Sequence, residues 1–245
     1  MKDAICSNPS ISSDGWLHYC IWEHSSAIRD LYTARARDET EEMTCAAQAA
    51  ELVAPLVTPG DTLLDAGCGS GYFFHSLRRR NIAANYYGID AAPTLIAIGR
   101  RELATFGLPP ERLDVRRIED IDGAVDHVIC SNVLSNIDNY HRPLERLLKM
   151  ARKSLILRES AGEGAFYSYV RDAYLDPGVD LNVHVNRYDA AELIDFMERY
   201  GFAVERVADR RSGDAPEMVI GHPHWWTFFR AVRTPAAPIT SHVGK

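Results

Sequence analysis

A chain of 245 residues, 46% hydrophobic and 25% charged, has the size and composition of one globular domain with a modest cap. Its formal net charge of -7 argues against a large nucleic-acid footprint, and no apolar run approaches the length of a membrane span. Five cysteines without a C-x-x-C pair leave zinc and disulfide frameworks unsupported, which points to a reduced, cytoplasmic compartment.

The first dozen residues and the segment Thr234 to Lys245 are small, polar and proline-containing, and read as frayed ends, the second as a flexible tail. From Gly15 to about Pro55, apolar residues recur at spacings of three and four, the pattern of packed helices. Residues 1–45 are read as a helical lid rich in aromatics, with Trp16, Tyr19, Trp22 and Tyr32 facing a ligand. Residues 46–233 form the main domain.

From Asp61 onward, short apolar runs alternate with helical periods. Strands are expected at "TLLDAG", "YYGIDA", "RLDVRRI", "DHVICSN" and "KSLILRE", and two more at "FAVERVAD" and "WWTFFRAV". Helices fall at "YFFHSLRRRN", "PTLIAIGRRELATFGL", "RPLERLLKMARK" and "AAELIDFMERYG", the last closing on Gly201 as a C-cap. This order implies an α/β fold, doubly wound and Rossmann-like, with a mostly parallel seven-stranded sheet. Two late strands with no helix between them imply an antiparallel strand at the sheet edge. Residues 160–187 interrupt the alternation after the fifth strand and are too long for a simple connection, so they read as a functional insertion.

Gly67, Gly69 and Gly71 follow the first strand and precede a helix, the context of a nucleotide-binding turn. The spacing is G-x-G-x-G, not the dinucleotide G-x-G-x-x-G. Asp65, just before the loop, suits an ammonium group and would repel a pyrophosphate. Asp90 closes the second strand, where a carboxylate can accept both hydroxyls of a ribose. The acidic stretch "RIEDID" closes the third and can hold an adenine amine. A ligand with an amino-acid end, a ribose and an adenine, but no phosphate, fits these groups.

Between Ala46 and Val232 the chain resembles the class I S-adenosylmethionine-dependent methyltransferases. "LLDAGCGSG" matches that family's first motif, "YYGIDAAP" its second, "RIEDI" its third and "DHVICSNVLSNI" its fourth. The resemblance implies S-adenosylmethionine as cofactor. Asp65 and the backbone of Gly67 and Gly69 would hold its methionine end, and Asp90 its ribose. Ala91, Ile118 and Glu119 would line the adenine, with Asn132 beneath the sulfonium. Many relatives carry an aspartate where Arg117 stands, so the adenine contact falls to Glu119 or to main chain.

The acceptor is harder to read, because in-line transfer from a sulfonium needs alignment and needs a general base only for a protonated nucleophile. "SNVL" replaces the signature of exocyclic-amine enzymes, and "CSNVLSNIDN" offers a metal only Asp138, so no metal is expected. His141, His184 and Glu159 are the candidate proton acceptors. In the insertion, Tyr167, Asn186 and Arg187 join the lid aromatics as candidate acceptor contacts. "HPHWW", before the last strand, reads as structural. The reading favoured is O- or N-methylation of a small molecule in a specialised biosynthetic pathway, with no nucleic-acid or membrane partner. Methylation of RNA or protein, or cofactor binding without catalysis, are the alternatives. The oligomeric state is left open.

Overall fold

The computed structural model describes residues 17–234, so Trp16, the first dozen residues and all of the expected tail after Thr234 lie outside the described residues. Strands β1 (Thr62–Ala66), β2 (Asn85–Asp90), β3 (Leu113–Val115), β4 (Val125–Ser131) and β5 (Ala151–Gly162) pair in parallel in the order β3-β2-β1-β4-β5. The last strand, β12 (Trp226–Arg233), inserts antiparallel between β5 and β9 (Phe202–Ala208). The edge strand β9 is therefore paired antiparallel, as expected, but the strand that reverses direction is the interior one. A two-residue strand, β8 (Tyr188–Asp189), adds to β5 as an eighth member.

Alternation along the central strands sends neighbouring side chains to opposite faces, and both faces are covered. On one, Leu63, Ile129, Ile156 and Phe228 pack against helices α2 (Thr44–Val53), α3 (Phe73–Arg79) and α4 (Pro93–Glu102). On the other, Leu64, Val128, Leu155 and Phe229 pack against α5 (His141–Met150) and α6 (Ala190–Arg199). Helix α5 ends three residues before "RPLERLLKMARK" does, because Ala151 already begins β5. "RLDVRRI" yields only three strand residues, then a 3₁₀ turn at Ile118–Asp120.

Before α2, a 3₁₀ turn (Ile21–Glu23) leads into α1 (Ser26–Ala36), capped by Ser25. Helix α2 runs across position 45, where the lid had been expected to end. The insertion folds into a hairpin of β6 (Tyr169–Arg171) and β7 (Asn182–His184), and a second hairpin pairs β10 (Glu217–Val219) with β11 (His222–His224). Ile21, Val183 and Val185 form a small apolar cluster with Trp22, Val219 and Ile220, joining the lid and both hairpins into one roof. Asp176 locks it: Oδ1 accepts from Ser26 N at 2.8 Å, and Arg29 donates to Oδ2 at 3.2 Å.

Candidate active site

The strand order reverses between β1 and β4, and ligands of such sheets bind outside the carboxyl ends there. A cavity of about 760 Å³ opens at that point, floored by the glycine turn and the end of β4 and covered by the roof. Gly67 and Gly69, which line it, have φ of 76° and 58°, backbone that glycine adopts without strain. They are also packed tight. A Cβ at Gly67 would lie 2.2 Å from Val133, and one at Gly69 2.1 Å from the Tyr32 ring. Ser70 Oγ donates to the Tyr32 carbonyl at 2.9 Å, so α1 is docked directly on the turn.

Two carboxylates organise the cradle. Asp65 is buried and accepts from Tyr86 Oη at 2.8 Å, without an arginine or lysine partner among the described residues. Burial pushes its carboxyl up to about 7; the Asp90 charge adds to the rise, and the Tyr86 bond opposes it. Unlike Asp90, Asp65 does not border the cavity, so its carboxyl stands behind the wall that a ligand would touch. Asp90 uses Oδ2 to accept from Gly69 N and Oδ1 to accept from Ala92 N, both at 2.8 Å, which ties β2 to the turn and keeps lone pairs for a ligand. Burial raises its pKa as well.

Ala91, Ile118, Glu119 and Asn132 line the same cavity. The Glu119 carboxylate also pairs with Arg117 at 3.3 Å. Asn132 sits at φ 59°, a left-handed conformation that asparagine tolerates, and its Oδ1 accepts from Arg158. Arg158 is 1% exposed and pairs bidentately with buried Asp209 at 2.8 and 3.0 Å. Sequence reading passed over Arg158. Its only signal was a charge inside the apolar run "SLILRE".

The acceptor-side expectations divide. Tyr19 and Tyr32 line the cavity, and burial raises the Tyr32 phenol to about 12. His184 lines it too, its ring 4.5 Å from Tyr169 and its pKa lowered by burial. Glu159 requires correction. It is fully buried and accepts from the backbone N–H groups of Val133 and Leu134 at 2.8 Å and Ser135 at 3.0 Å, so it clamps the loop after β4 and has no part in the cavity wall. His141 also falls outside the wall, exposed at the start of α5 and bound to Asn139 Oδ1 at 2.8 Å. Asn186 is buried and spent on Ile137 O and Ser168 N, while Arg187 lies over Trp225, 4.8 Å from its ring. Tyr167 is 55% exposed and packs toward Tyr188. These three expected acceptor contacts are likewise placed away from the cavity. The β7–β8 segment that carries Asn186 and Arg187 braces the loop after β4; Asn186 N, for example, donates to Ser135 O at 2.9 Å. Sequence reading missed His224 and Trp226, which line the cavity from the last two strands although "HPHWW" had read as structural.

Among the described residues no cluster of three or more His, Cys, Asp or Glu is placed to hold a metal, and no helix is long and apolar enough to cross a membrane.

Residues 64–155, which carry the turn, Asp90 and Asn132, match the model of a methyltransferase domain. That stretch is similar to a methyltransferase domain, in keeping with the resemblance of the chain to the class I S-adenosylmethionine-dependent methyltransferases. S-adenosylmethionine, which solved structures of similar fold hold bound, carries an ammonium and a ribose of the kind the carboxylates just described could receive. A malonyl-[acyl-carrier protein] O-methyltransferase of Serratia marcescens is 28% identical over 130 residues, 53% of this chain and 49% of that protein. The chain thus spans about half the length of that relative. In fold, the chain is similar to a magnesium protoporphyrin IX methyltransferase from Synechocystis with bound S-adenosylmethionine. That match has a TM-score of 0.58 and 17% identity, covering 93% of this chain and 100% of the other. A methyltransferase from Clostridium acetobutylicum gives a TM-score of 0.57 at 13% identity, covering 84% and 97%. A glycopeptide N-methyltransferase with bound cofactor gives 0.55 at 11%, covering 78% and 94%.

Proposed function

We propose that this protein transfers the methyl group of S-adenosylmethionine to an oxygen or nitrogen of a small-molecule acceptor. One observation carries the reading: Gly67, Gly69 and Asp90 line a single cavity together with the aromatic underside of the roof. Donor and acceptor held there are aligned and shielded from water, which is most of what the displacement requires. S-adenosylmethionine supplies a methyl group on a good leaving group. Asp65 and the turn backbone bind its amino-acid end, and Asp90 its ribose hydroxyls. Ala91, Ile118 and Glu119 border the adenine, and Asn132, oriented by Arg158, lies beneath the sulfonium.

Tyr19 and Tyr32 contact the acceptor, and His184 is the one of the three proposed proton acceptors on the cavity wall. Similar proteins named for O- and N-methylation support both acceptor atoms. The net charge of -7 favours a small molecule over RNA, and a biosynthetic role suits such an acceptor. Calorimetry with S-adenosylmethionine and with NADH, followed by a mass search for methylated products in metabolite extract, tests the reading. Binding of the first and a product 14 mass units heavier, about one CH₂, is expected. NADH binding without S-adenosylmethionine binding overturns it.

A further inference from the structure

His224 ends β11, is 1% exposed and lines the cavity. Among the described residues, neither its Nδ1 nor its Nε2 has a hydrogen-bond partner. A buried imidazole with both nitrogens unmet is a cost that a phenylalanine of similar shape would not carry. The wall around it is nonetheless firmly built. The ring stacks on the Trp226 indole, centroids 5.0 Å apart and planes 30° from parallel. Trp226 is held from two sides: its Nε1 donates to Glu217 Oε2 at 2.8 Å, and the Arg158 guanidinium lies 4.7 Å from its ring. That same guanidinium donates to Asn132, so His224 connects through Trp226 and Arg158 to the residue assigned beneath the sulfonium.

The cations beside this wall are already matched by acids, Arg158 by Asp209 and Arg211 by Glu217. Burial, aided by His222 and opposed by Glu217, lowers the His224 pKa to about 4, so the ring is neutral near pH 7. A neutral ring among matched cations does not suit an anionic acceptor, and a carboxylate needs no proton removed before it attacks. A hydroxyl does.

We propose that His224 takes the proton from an uncharged hydroxyl on an aromatic acceptor seated along the Trp226–His224 stack. The proposal rests on the methyltransferase reading above. The oxygen's lone pair forms the O–CH₃ bond as the S–CH₃ bond breaks, and sulfur keeps that electron pair. The O–H bond then gives its proton to an imidazole nitrogen. The positive charge of the sulfonium ends on the imidazolium, which releases the proton to solvent. Because the oxygen becomes strongly acidic as its new bond forms, even a weakly basic ring accepts the proton. His184, on the roof hairpin, is left to contact the acceptor.

The full chain, saturated with S-adenosylmethionine, is offered umbelliferone, quercetin and para-nitrophenol, and in parallel the carboxylates cinnamate and para-nitrobenzoate. Methylation of the hydroxyl set is expected. His224→Phe should lower kcat at least about a hundredfold, with unchanged calorimetric affinity for S-adenosylhomocysteine and a melting temperature equal to or above that of the parent. Should that variant fail to fold, His224→Gln carries the same kinetic test. Methylation of the carboxylates alone, or of neither set, overturns the assigned acceptor class. An unchanged kcat in the variant overturns the role of the ring. Failure of the parent to bind S-adenosylmethionine is a different result, and sinks the methyltransferase reading itself.

Discussion

Asp65 enters the folded state with its carboxyl pushed by burial up to about 7 from its ordinary 3.8. A raised carboxyl stabilises the fold below the lower value, and that stabilisation is lost as pH climbs through the higher one. Cofactor binding runs the opposite way, because an ammonium group prefers the ionised form. Affinity for S-adenosylmethionine should therefore weaken about tenfold for each pH unit below about 7, as the competent fraction falls. Calorimetry from about pH 5.5 to 7.5 checks this against Asp65→Asn, which should bind weakly and with a flat profile. A flat profile in the parent sinks the assigned contact. Asp90→Ala removes the proposed ribose acceptor together with the bonds from Gly69 N and Ala92 N. A loss of at least about tenfold in affinity, roughly 1.4 kcal/mol, is expected in the same titration.

The loop after β4 is positioned by β5, through Glu159. Glu159→Ala strands the three amides of Val133, Leu134 and Ser135, and should cost about 3 kcal/mol in denaturant unfolding while also weakening cofactor binding. A variant with normal stability and no turnover would return Glu159 to the chemistry. The contrast with Asp65 shows what a sequence can hold. Every central strand and the G-x-G-x-G turn were legible, since they depend on apolar periodicity and on residues within a few positions of one another. Glu159 stands at the carboxyl end of its strand, where a cleft-facing acid and an amide clamp look alike in one dimension. The pairings that separate them span 24 to 26 residues. Arg158, Trp226 and His224 were missed for the same reason: they meet only because β12 pairs with β5, with Trp226 opposite Ser160.

At the scale of the molecule, the roof joins the lid and two hairpins by an apolar cluster and the Asp176 lock. The Asp176–Arg29 pair is partly exposed, so Asp176→Ala should change global stability by less than about 1 kcal/mol. Its effect should fall on opening. Hydrogen exchange should quicken in the first turn of α1 and in residues 169–184, and the cofactor should dissociate faster. Exchange mass spectrometry with stopped-flow release measures both, and unchanged exchange in those segments removes the lock from the account. The place of β12 has a bearing on synthesis. The cradle draws on residues 62–132 and can assemble while the rest of the chain is still emerging from the ribosome. Strand β9, made earlier than β12, lacks its native partner until β12 arrives. The nascent chain thus passes through a stage that presents a donor-type pocket beside an uncovered β5, with the Trp226–His224 wall still missing. A chaperone that shields that edge, or a bound cofactor that steadies the early half, would raise the yield of the finished protein.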